Sequence, residues 1–471
     1  MKIAMPGQMK EMDQRTVKEG YFTSLELMEN AAQALYRVVS AIMEEQGITR
    51  VVLLAGTGNN GGDAYALACL LDSVYQPSII AVGSGERTPD CMYYYRQCLE
   101  RGIPFIDDPA GFPLVVDGVF GTGFHGTLSP EIQQLFKKIY MPVVAIDLPS
   151  GMDGKSGCCA PGTLQPEYTV TFAYKKPCHL LADCGKVVLA DIGIPSSYEE
   201  GLSRSELIPF LPRREEWGHK NSYGSVGLLV GAATYPGAAA LALTGALQSG
   251  AGLVFGYLPR FARRAAAAKF YGPVLAPVRR LFPLRCGSYL AGSGLGRSRA
   301  AGRKVRALWK TDRPLVIDGD GLWHLQKFLD RRSAPTILTP HLGEFSRLAG
   351  IEKEELLQNR IEYAEEFAKR YGCILVLKDA ATLITDGDQT QILSAPCSAL
   401  AKGGSGDLLA GLIAGLLAGG GAPFSLAATG VYLHNRAARL ATAEHSARSV
   451  QPEMIARYLD RAWMELEHGT F

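Results

Sequence analysis

Residues 51–71 have the sequence VVLLAGTGNNGGDAYALACLL, in which a glycine-rich turn separates an apolar run from a helical stretch. The run Val51–Ala55 is typical of a buried strand, and Ala64–Leu71 is typical of a helix. Backbone N–H groups at such a helix N-terminus can cradle a phosphate, and we expect the glycines to supply the close approach and positive φ that this needs. The alternative is a tight strand-to-helix connection that binds nothing.

The neighbouring sequence has the same pattern. Further short apolar runs lie at Ser78–Val82, Leu114–Asp117, Val143–Asp147, Tyr168–Phe172 and Val187–Asp191, and helical periodicity extends from Met9 to Met43. The spaces between these runs have room for helices. This pattern predicts a parallel sheet covered on both faces, in a Rossmann-like three-layer α/β domain.

A second region with strands and helices follows a break in the pattern. Residues 199–216 are charged, contain Pro209 and Pro212, and lack a core pattern. The pattern then resumes at Val226–Val230, Gly237–Gly250, Leu315–Asp318, Thr336–Leu338, Ile374–Leu377 and in a small-residue helix from Asp407. We therefore predict two α/β domains, residues 1–205 and residues 206–471.

Composition limits the classes of partner. The chain has 48 basic and 46 acidic side chains, and 47% of its residues are hydrophobic, so we expect no nucleic-acid partner. Met1–Glu11 lacks an apolar signal core, and the apolar stretch Leu408–Leu417 is too short to span a bilayer. We expect a cytoplasmic protein with no membrane partner, whose ten scattered cysteines are reduced thiols.

Two aspartates stand at the ends of predicted strands. Asp117 precedes the loop Gly118–Gly126, and Asp147 precedes Leu148–Asp153. Ligands of doubly wound sheets bind outside the carboxyl ends of the strands, so these loops and the glycine-rich turn can converge on one pocket. A carboxylate there costs desolvation unless it caps a helix, binds a cation or performs chemistry, and the residues alone leave these alternatives open.

The N-terminal motifs resemble those of one enzyme family. Met28–Ala32, the turn Gly56–Asp63, Gly121–Gly123 after Asp117, and Ile146–Gly151 look like the NAD(P)H-hydrate epimerase domain, and the match extends to about residue 205. That family interconverts the R and S hydrates of the reduced nicotinamide ring and holds a potassium ion. One departure is Ala64, where the family usually has glycine.

The resemblance implies roles for particular residues of the N-terminal domain. Asn60, Asp117 and Ser150 would ligate K⁺, and Asp147 would act as the acid/base group at the reacting ring. The hydrated dinucleotide would be bound by Asn59, Asn60, Gly61, Gly62, Asp63, Gly121, Thr122, Gly123, Phe124, His125, Gly126, Thr127 and Asp147.

The C-terminal domain has its own glycine-rich element, Lys402–Asp407, in front of an apolar helix. Consecutive glycine N–H groups at a helix N-terminus form an anion hole, and Asp407 is either a base at its mouth or the N-cap of a buried helix. More polar groups follow predicted strands at Thr339–Phe345 and Lys378–Thr382. These are either site residues, or ordinary loop polar groups and a solvated lysine.

Together with His219–Gly224 and Gly292–Gly296, these elements resemble the ADP- or ATP-dependent NAD(P)H-hydrate dehydratase domain, of ribokinase-like fold, over about residues 206–470. In that family the nucleotide phosphorylates the hydrate hydroxyl, and loss of phosphate restores the nicotinamide double bond, with Mg²⁺ expected beside the phosphates. The resemblance implies Asp407 as the catalytic base and a hydrate site of Gly294, His341, Leu342, Gly343, Glu344, Phe345 and Asp407. It implies an ADP or ATP site of Lys378, Asp379, Ala380, Ala381, Thr382, Ser398, Ala399, Leu400, Ala401, Lys402, Gly403, Gly404, Ser405 and Gly406.

Two departures from that family fall in the predicted nucleotide site. Pro396–Leu400 stands where Asn-x-Gly-Met is common, and Asp379 stands where glycine is usual. A carboxylate that points at a polyphosphate is repulsive, so an inward-pointing Asp379 would weaken nucleotide affinity or alter nucleotide preference.

The leading hypothesis is a bifunctional metabolite-repair enzyme, an isomerase and a lyase. The first domain would epimerise the hydrates of NADH and NADPH, and the second would dehydrate the S form at the expense of ADP or ATP. The alternatives are a ribokinase-like small-molecule kinase and a domain pair in which one half serves only as a binding module. We also expect a homo-oligomer, and the small-residue helices pack either within a subunit or between subunits.

Overall fold

The structure, a computed structural model, describes residues 3–195, 214–282, 285–394 and 396–468. The chain divides into two compact units, Met1–Gly201 and Leu202–Phe471. The predicted domain boundary between residues 205 and 206 lies outside the described residues. Among the helices in the described ranges, none offers the apolar length that crossing a bilayer demands.

Unit 1 alternates helices and strands. In chain order they are α1 (Pro6–Lys18), α2 (Ser24–Gln46), β1 (Arg50–Ala55), α3 (Asn59–Leu71), β2 (Gln76–Ala81), α4 (Pro89–Glu100), β3 (Val115–Gly118), α5 (Pro130–Phe136), β4 (Val143–Ile146), β5 (Tyr168–Phe172), α6 (Cys178–Leu181) and β6 (Lys186–Ala190).

The strands of unit 1 form one parallel sheet in the order β2-β1-β3-β4-β5-β6. Alternate residues of β1 enter two different cores, since Val51 and Leu53 pack with α1 to α4 while Val52 and Leu54 pack with α5. A strand buried on both sides needs the continuous apolar run that the sequence shows. The predicted parallel sheet with two covered faces is confirmed.

Unit 2 is larger and begins with a strand in its described part. Its elements are β7 (Ser225–Leu229), α7 (Pro236–Leu247), β8 (Leu253–Leu258), α8 (Arg260–Lys269), β9 (Val274–Pro277), β10 (Ser288–Ala291), α9 (Arg299–Trp309), β11 (Leu315–Ile317), α10 (Asp320–Leu325), β12 (Thr336–Leu338), α11 (Leu342–Ala349), α12 (Lys353–Gln358), α13 (Arg360–Tyr371), β13 (Ile374–Leu377), β14 (Ala381–Thr385), β15 (Thr390–Ser394), α14 (Ser405–Ala418), α15 (Pro423–Glu444) and α16 (Pro452–His468). Short 3₁₀ turns lie at Val278–Arg280 and Ser398–Leu400.

The sheet of unit 2 has nine strands in the order β15-β14-β13-β12-β11-β10-β7-β8-β9. Strand β14 pairs antiparallel with β13 and with β15, and the other pairs are parallel. The predicted α/β fold is confirmed, with β7, β11, β12 and β13 at the predicted runs. The sequence patterns did not predict β8, β9, β10, β14 or β15.

The small residues of α7 and α14 let these two helices approach closely inside unit 2. A Cβ atom on Gly245 would lie 2.1 Å from the Leu408 carbonyl oxygen, and one on Gly411 would lie 2.0 Å from the Ala242 carbonyl oxygen. No side chain fits at such distances. This packing within the unit accounts for the small-residue pattern without a second subunit.

Candidate active sites

The loops that follow β1, β3 and β4 line a cavity of about 890 Å³ in unit 1. Its wall includes eight residues predicted to contact a dinucleotide, namely Asn59, Asn60, Asp63, Gly121, Thr122, Gly123, Phe124 and Asp147. The loops at the carboxyl ends of these strands therefore converge, as the topology of an open parallel sheet requires.

Five other residues predicted to contact the dinucleotide lie elsewhere. His125, Gly126 and Thr127 are in an exposed part of the loop, where His125 Nδ1 lies 3.0 Å from Asp153 Oδ2. Gly61 and Gly62 are buried in the first turn of α3.

Gly56, Gly61 and Gly62 of the turn serve packing, whereas a Cβ on Gly58 would meet nothing within 4 Å, and the expectation of positive φ is wrong. Gly58 has a φ of −86°, and the other glycines of the turn also lie outside the positive-φ region. A Cβ on Gly61 would lie 2.1 Å from the Gly56 carbonyl oxygen, and one on Gly62 would lie 2.6 Å from Met28 Cε. The turn must therefore be glycine-rich because backbone and helix α2 pack directly against it.

The three predicted potassium ligands lie together around Phe120. Ser150 donates to Asp117 twice, from its N–H to Oδ2 at 2.8 Å and from its hydroxyl to Oδ1 at 2.6 Å. Asn60 Nδ2 donates to the Phe120 carbonyl oxygen at 2.9 Å, and the Phe120 N–H donates to Ser150 Oγ at 2.8 Å. These contacts bring three loops to one point behind the cavity wall.

This cluster suits a hard monovalent cation. Burial raises the pKa of Asp117, and hydrogen bonds from the neutral donors Ser150 and Val119 offset that effect only in part. The oxygen atoms of Asn60, Asp117, Phe120 and Ser150 are of the type that alkali cations prefer. A bound cation would also offset the desolvation of the Asp117 carboxylate.

Asp147 has a strained backbone at the cavity wall. Its φ is 64°, in the left-handed region. Among the described non-glycine residues, only Asp147 and Ala173 have a positive φ. The Asp147 N–H donates to the Val170 carbonyl oxygen at 2.7 Å, and His179 Nε2 lies 2.7 Å from the Asp147 carbonyl oxygen. Such strain persists only where the surroundings hold it in place, and it clusters at functional sites.

Lys176 supplies the positive charge for Asp147. Its side chain is 2% exposed, and Nζ donates to Asp147 Oδ1 at 2.6 Å and to Thr171 Oγ1 at 2.9 Å. Burial acts to raise the pKa of Asp147, but Lys176 and the hydrogen bonds to the carboxylate outweigh burial, so the pKa is lowered. Asp147 is therefore held ionised against the cavity.

His179 acts on the backbone of this site. Burial lowers its pKa to about 4, so the ring is neutral at physiological pH. Its Nδ1 accepts the Lys176 N–H at 2.9 Å, which leaves Nε2–H to donate to the Asp147 carbonyl oxygen. Both ring nitrogens are engaged, so His179 positions Asp147 and Lys176.

The sequence did not predict Lys176, His179 or the contribution of α1 to this site. Helix α1 lines the cavity with Met9, Lys10, Asp13, Gln14, Val17 and Lys18. The sequence signal available for α1 was its helical periodicity alone. Lys176 follows β5 without a motif, and only the need of a buried carboxylate for a countercharge could have indicated it.

In unit 2 the polar groups at strand ends also meet. Lys378 Nζ donates to Asp318 Oδ1 at 2.8 Å, and Thr339 Oγ1 donates to the same oxygen at 2.8 Å. The Asp318 side chain is 5% exposed, and Ser293 Oγ lies 3.3 Å from its Oδ2. Lys378 is therefore half of a buried ion pair, and the interpretation of Lys378 as a solvated charge is wrong. Asp318 was not predicted as a site residue.

Asp407 lies beside this ion pair as the third residue of α14. The N-cap of that helix is Gly404, so the alternative of Asp407 as an N-cap is wrong. The pKa of Asp407 is raised to about 7, since burial and then Asp318 raise it more than Ser293 and Lys378 lower it. A Cβ on Gly406 would lie 3.0 Å from Lys378 Nζ, so the first turn of the helix lies against the ammonium group.

His341 and Glu344 form a capping box at the start of α11. His341 Nδ1 accepts the N–H groups of Gly343 at 3.1 Å and of Glu344 at 3.3 Å, while Glu344 Oε2 accepts the His341 N–H at 3.0 Å. Glu344 also acts on Asp407, whose pKa it raises after the larger effects of burial and Asp318. Both residues are therefore close to the Asp407 site and hold the helix that begins there.

Other predicted site residues of unit 2 have partners within the protein. Lys402 Nζ donates to the carbonyl oxygens of Ala447 at 3.2 Å and Arg448 at 2.8 Å. The Phe345 ring is fully buried and packs edge-on against Phe367, with 5.2 Å between ring centroids. The remaining predicted nucleotide contacts lie between β13 and β14, at the start of β14, and from the 3₁₀ turn to the start of α14; they are Ala380, Ala381, Thr382, Ser398, Ala399, Leu400, Ala401, Gly403 and Ser405.

Asp379 has a cationic partner of its own. Its Oδ2 lies 3.1 Å from Arg360 Nη1, and the Arg360 side chain is 7% exposed. The Asp379 carboxylate therefore forms an ion pair with α13, and this pair balances the negative charge that would repel a polyphosphate.

Both units match known protein families. A family model described as NAD(P)H-hydrate dehydratase matches residues 226–461, and one described as YjeF-related protein N-terminus matches residues 24–178. The bifunctional NAD(P)H-hydrate repair enzyme Nnr of Mycobacterium leprae is 34% identical over 437 residues, which cover 89% of this chain and 90% of that protein. The protein of the same name from Moorella thermoacetica is 31% identical and covers 99% of this chain and 97% of its own.

A solved structure is also similar. The ADP/ATP-dependent NAD(P)H-hydrate dehydratase from Bacillus subtilis, co-crystallised with ATP/Mg²⁺, is 30% identical with a TM-score of 0.52, and the match covers 56% of this chain and 98% of that one. Relatives thus align with both units over nearly the whole chain, and the chain belongs to the family of bifunctional NAD(P)H-hydrate repair enzymes.

Proposed function

We propose that unit 1 interconverts the R and S hydrates of NADH and NADPH, and that unit 2 dehydrates the S hydrate at the expense of ADP or ATP. The observation that carries this proposal is the pair of sites just described. Each unit has a buried lysine–aspartate ion pair at the carboxyl end of its sheet, Asp147 with Lys176 and Asp318 with Lys378.

In unit 1, Asp147 is the acid/base group at the reacting ring. Departure of the ring hydroxyl needs a proton, and return of water needs a base. Lys176 and Thr171 fix the carboxylate, while Asn59, Asn60, Asp63 and Gly121–Phe124 would hold the dinucleotide at the wall. Asn60, Asp117 and Ser150 would hold K⁺, which would supply positive charge to the buried carboxylate of Asp117.

In unit 2, Asp407 is the base that takes the proton of the hydrate hydroxyl as that oxygen attacks the terminal phosphoryl group. The bond between that phosphorus and the bridging oxygen of the nucleotide breaks, so that ADP leaves as AMP and ATP leaves as ADP. Phosphate then leaves with the former hydroxyl oxygen as the electron pair of the ring nitrogen forms a carbon–nitrogen double bond, and the adjacent ring carbon loses a proton to solvent to restore the carbon–carbon double bond. The pKa of Asp407, raised to about 7 by burial and by Asp318, suits a base that works near neutral pH. Lys378 and the backbone N–H groups of Gly403–Gly406 would stabilise the transferring phosphoryl group.

Mg²⁺ fits the same place in unit 2. Asp318 and Asp407 repel one another, and a divalent cation beside the phosphates would relieve that repulsion and supply charge to the phosphoryl group. His341–Phe345 and Gly294 would hold the hydrate. Lys378–Thr382 and Ser398–Gly406 would hold the adenine nucleotide, while the Lys402 ammonium ties this loop to the carbonyl oxygens of Ala447 and Arg448.

We also infer a cytoplasmic homo-oligomer. The ten cysteines are scattered and lack the spacing of a disulfide framework, which supports a reducing compartment. Strand β9 is an edge of the sheet in unit 2, and Phe261, Tyr271 and Val274 are exposed nearby in sequence, which supports a contact between copies. Light scattering at several protein concentrations tests the assembly, and a monomer at every concentration would contradict it.

The test of the proposed function uses a mixture of R and S NADH hydrate with Mg²⁺, K⁺ and either ADP or ATP. Recovery of reduced-nicotinamide absorbance is followed for the parent protein, Asp147→Ala and Asp407→Ala. We expect the parent to consume both epimers, Asp407→Ala to restore neither, and Asp147→Ala to consume the S form while losing accelerated consumption of the R form. A stable phosphorylated product would instead indicate a kinase, and no turnover with either nucleotide would contradict the proposal.

A further inference from the structure

Helix α1 closes part of the unit 1 cavity with one face. The cavity-lining positions 9, 10, 13, 14, 17 and 18 recur at the spacing of a single helical face. The segment before α1 is tied to the site, because the Ala4 N–H donates to the Lys175 carbonyl oxygen at 2.9 Å. The matched family model begins at residue 24, so neither its match nor the motifs described above assign a role to this helix.

Asp13 is the carboxylate on this face of α1. Its side chain is open to the cavity, and no side-chain hydrogen bond to it is found among the described residues. The charged groups that share the cavity wall with it are Lys10, Lys18, Asp63, Asp90, Asp147 and Lys176. Asp13 is exposed to the open cavity, and its pKa is raised to about 6, since desolvation by the surrounding protein raises it, Lys176 lowers it and Asp147 raises it.

Epimerisation makes a demand that Asp147 alone does not meet. The hydroxyl must leave from one face of the ring and water must add to the other face. Lys176 and Thr171 both bind Asp147 Oδ1, and the Asp147 backbone is fixed by Val170 and His179. A carboxylate held this firmly serves one face of the ring, so a second acid/base group is needed for the other face.

We propose that Asp13 is this second catalytic residue, which acts on the face of the nicotinamide ring that α1 covers while Asp147 acts on the opposite face. This inference rests on the proposed epimerase function of unit 1. Asp13 donates a proton to the ring hydroxyl, the carbon–oxygen bond breaks, water leaves, and the electron pair of the ring nitrogen forms a carbon–nitrogen double bond. Water then adds to the same carbon from the other face, its proton passes to Asp147, and the nitrogen regains its electron pair. In the reverse direction the two carboxyl groups exchange roles, and solvent returns the proton.

Asp13→Asn removes the acid and keeps the size of the side chain. We expect kcat for conversion of R to S hydrate to fall about 100-fold with little change in KM, whereas a purely structural loss of the wall would raise KM. The parent rate should decline as the pH rises past about 6, since the protonated acid is lost, and this decline should be absent in Asp13→Asn. Asp13→Glu should restore part of the rate together with the decline.

Glu11→Gln is the matched control, because Glu11 is an exposed carboxylate of the same helix outside the cavity wall. Consumption of pure S hydrate with ADP checks that each variant is folded and that unit 2 works. If the parent accelerates epimerisation and Asp13→Asn equals Glu11→Gln, the inference is wrong while the proposed function stands. If Asp63→Asn abolishes the pH-dependent decline and Asp13→Asn keeps it, the second acid is Asp63. If the parent itself does not epimerise, the proposed function of unit 1 fails first.

Discussion

The two units use the same pair of residue types in opposite ways. In unit 1 the lysine binds the carboxylate that faces the cavity, with Lys176 Nζ 2.6 Å from Asp147 Oδ1. In unit 2 the lysine binds a different carboxylate, with Lys378 Nζ 2.8 Å from Asp318 Oδ1, and Asp407 lies beside that pair. The pKa of Asp147 is lowered because Lys176 outweighs burial, whereas burial and Asp318 raise the pKa of Asp407 to about 7.

Both sites contain lysine and aspartate, so the side chain that lies next to the aspartate decides the protonation state of that aspartate. An ion pair with lysine keeps a buried carboxylate ionised, while burial together with a neighbouring carboxylate makes it hold its proton up to neutral pH. Each state suits the proposed step. A fixed anion suits stabilisation of a positive ring intermediate and capture of a proton from water, and a carboxylate that titrates near neutrality suits removal of a hydroxyl proton.

Of the substitutions considered, removal of the lysine of unit 1 should have the largest effect on activity and stability. In Lys176→Met the carboxylate of Asp147 stays buried without its countercharge, so its pKa should rise. Epimerisation should fall about 100-fold, and unfolding should become easier by about 3 kcal/mol. Dehydration of pure S hydrate should be unchanged. Rates on the separate epimers and thermal unfolding curves measure these effects.

The pH dependence of that stability loss has a defined sign. The folded pKa of Asp147 is lowered, so its contribution is present above the ordinary aspartate pKa of about 4 and is lost as the pH falls through the folded value. The gap in unfolding midpoint between the parent and Lys176→Met should therefore shrink below about pH 4. Lys175→Met, a change at the neighbouring lysine, is the control. Equal epimerase rates in the two variants would show that Asp147 works without its ion pair.

Removing the second carboxylate of unit 2 should make its site resemble that of unit 1. In Asp318→Asn the like charge is gone and Lys378 is free to approach Asp407, so the pKa of Asp407 should fall. Parent dehydration should rise with pH through about 7, because Asp407 must be ionised to act as a base. In the variant this rise should occur at lower pH, and the maximal rate should drop about tenfold because a base of lower pKa is weaker.

The pH profile of S-hydrate dehydration with saturating ADP measures this shift. Asp312→Asn is the matched control, since the Asp312 side chain is 93% exposed in the same unit. A profile of Asp318→Asn that coincides with that of the control would mean that a group other than Asp407 titrates in the parent profile.

Sequence patterns predicted four strands of the larger sheet and missed the two at each edge and β10 in its interior. Strands β7 and β11 to β13 are buried apolar runs, and such runs are visible in a sequence. Strand β9 is an apolar run of only four residues with no fully buried residue, and in β15 Thr390 and Gln391 interrupt the apolar run. A half-buried edge strand is defined by its pairing with the neighbouring strand, and the sequence pattern alone does not show that pairing.

The motifs also located eight residues of the cavity wall and the acidic side chains of Asp147 and Asp407, while the partners of those side chains depend on the fold. Lys176 reaches Asp147 across 29 positions of sequence, and Lys378 reaches Asp318 across 60. The glycine pattern misled in one respect, because Gly61 and Gly62 are needed for packing against Gly56 and Met28. Close approach of backbone segments and close approach of a ligand demand the same residue, and only the structure distinguishes them.

Substitution of Asp379 should have the smallest effect, and it tests whether the Asp379 carboxylate repels the phosphates of a bound nucleotide. Its side chain is 36% exposed and its Oδ2 lies 3.1 Å from Arg360 Nη1, so its charge is already balanced before any nucleotide binds. Asp379→Gly should therefore change the KM for ADP or ATP by less than about twofold, since a partly exposed ion pair contributes little. Asp388→Gly, at an exposed aspartate that pairs with Lys369, is the control for loss of a surface carboxylate from the same unit. A KM that falls fivefold or more in Asp379→Gly alone would mean that the carboxylate leaves Arg360 and repels the phosphates when the nucleotide enters. The balance of charge in unit 2 would then change during its reaction, while that of unit 1 stays fixed.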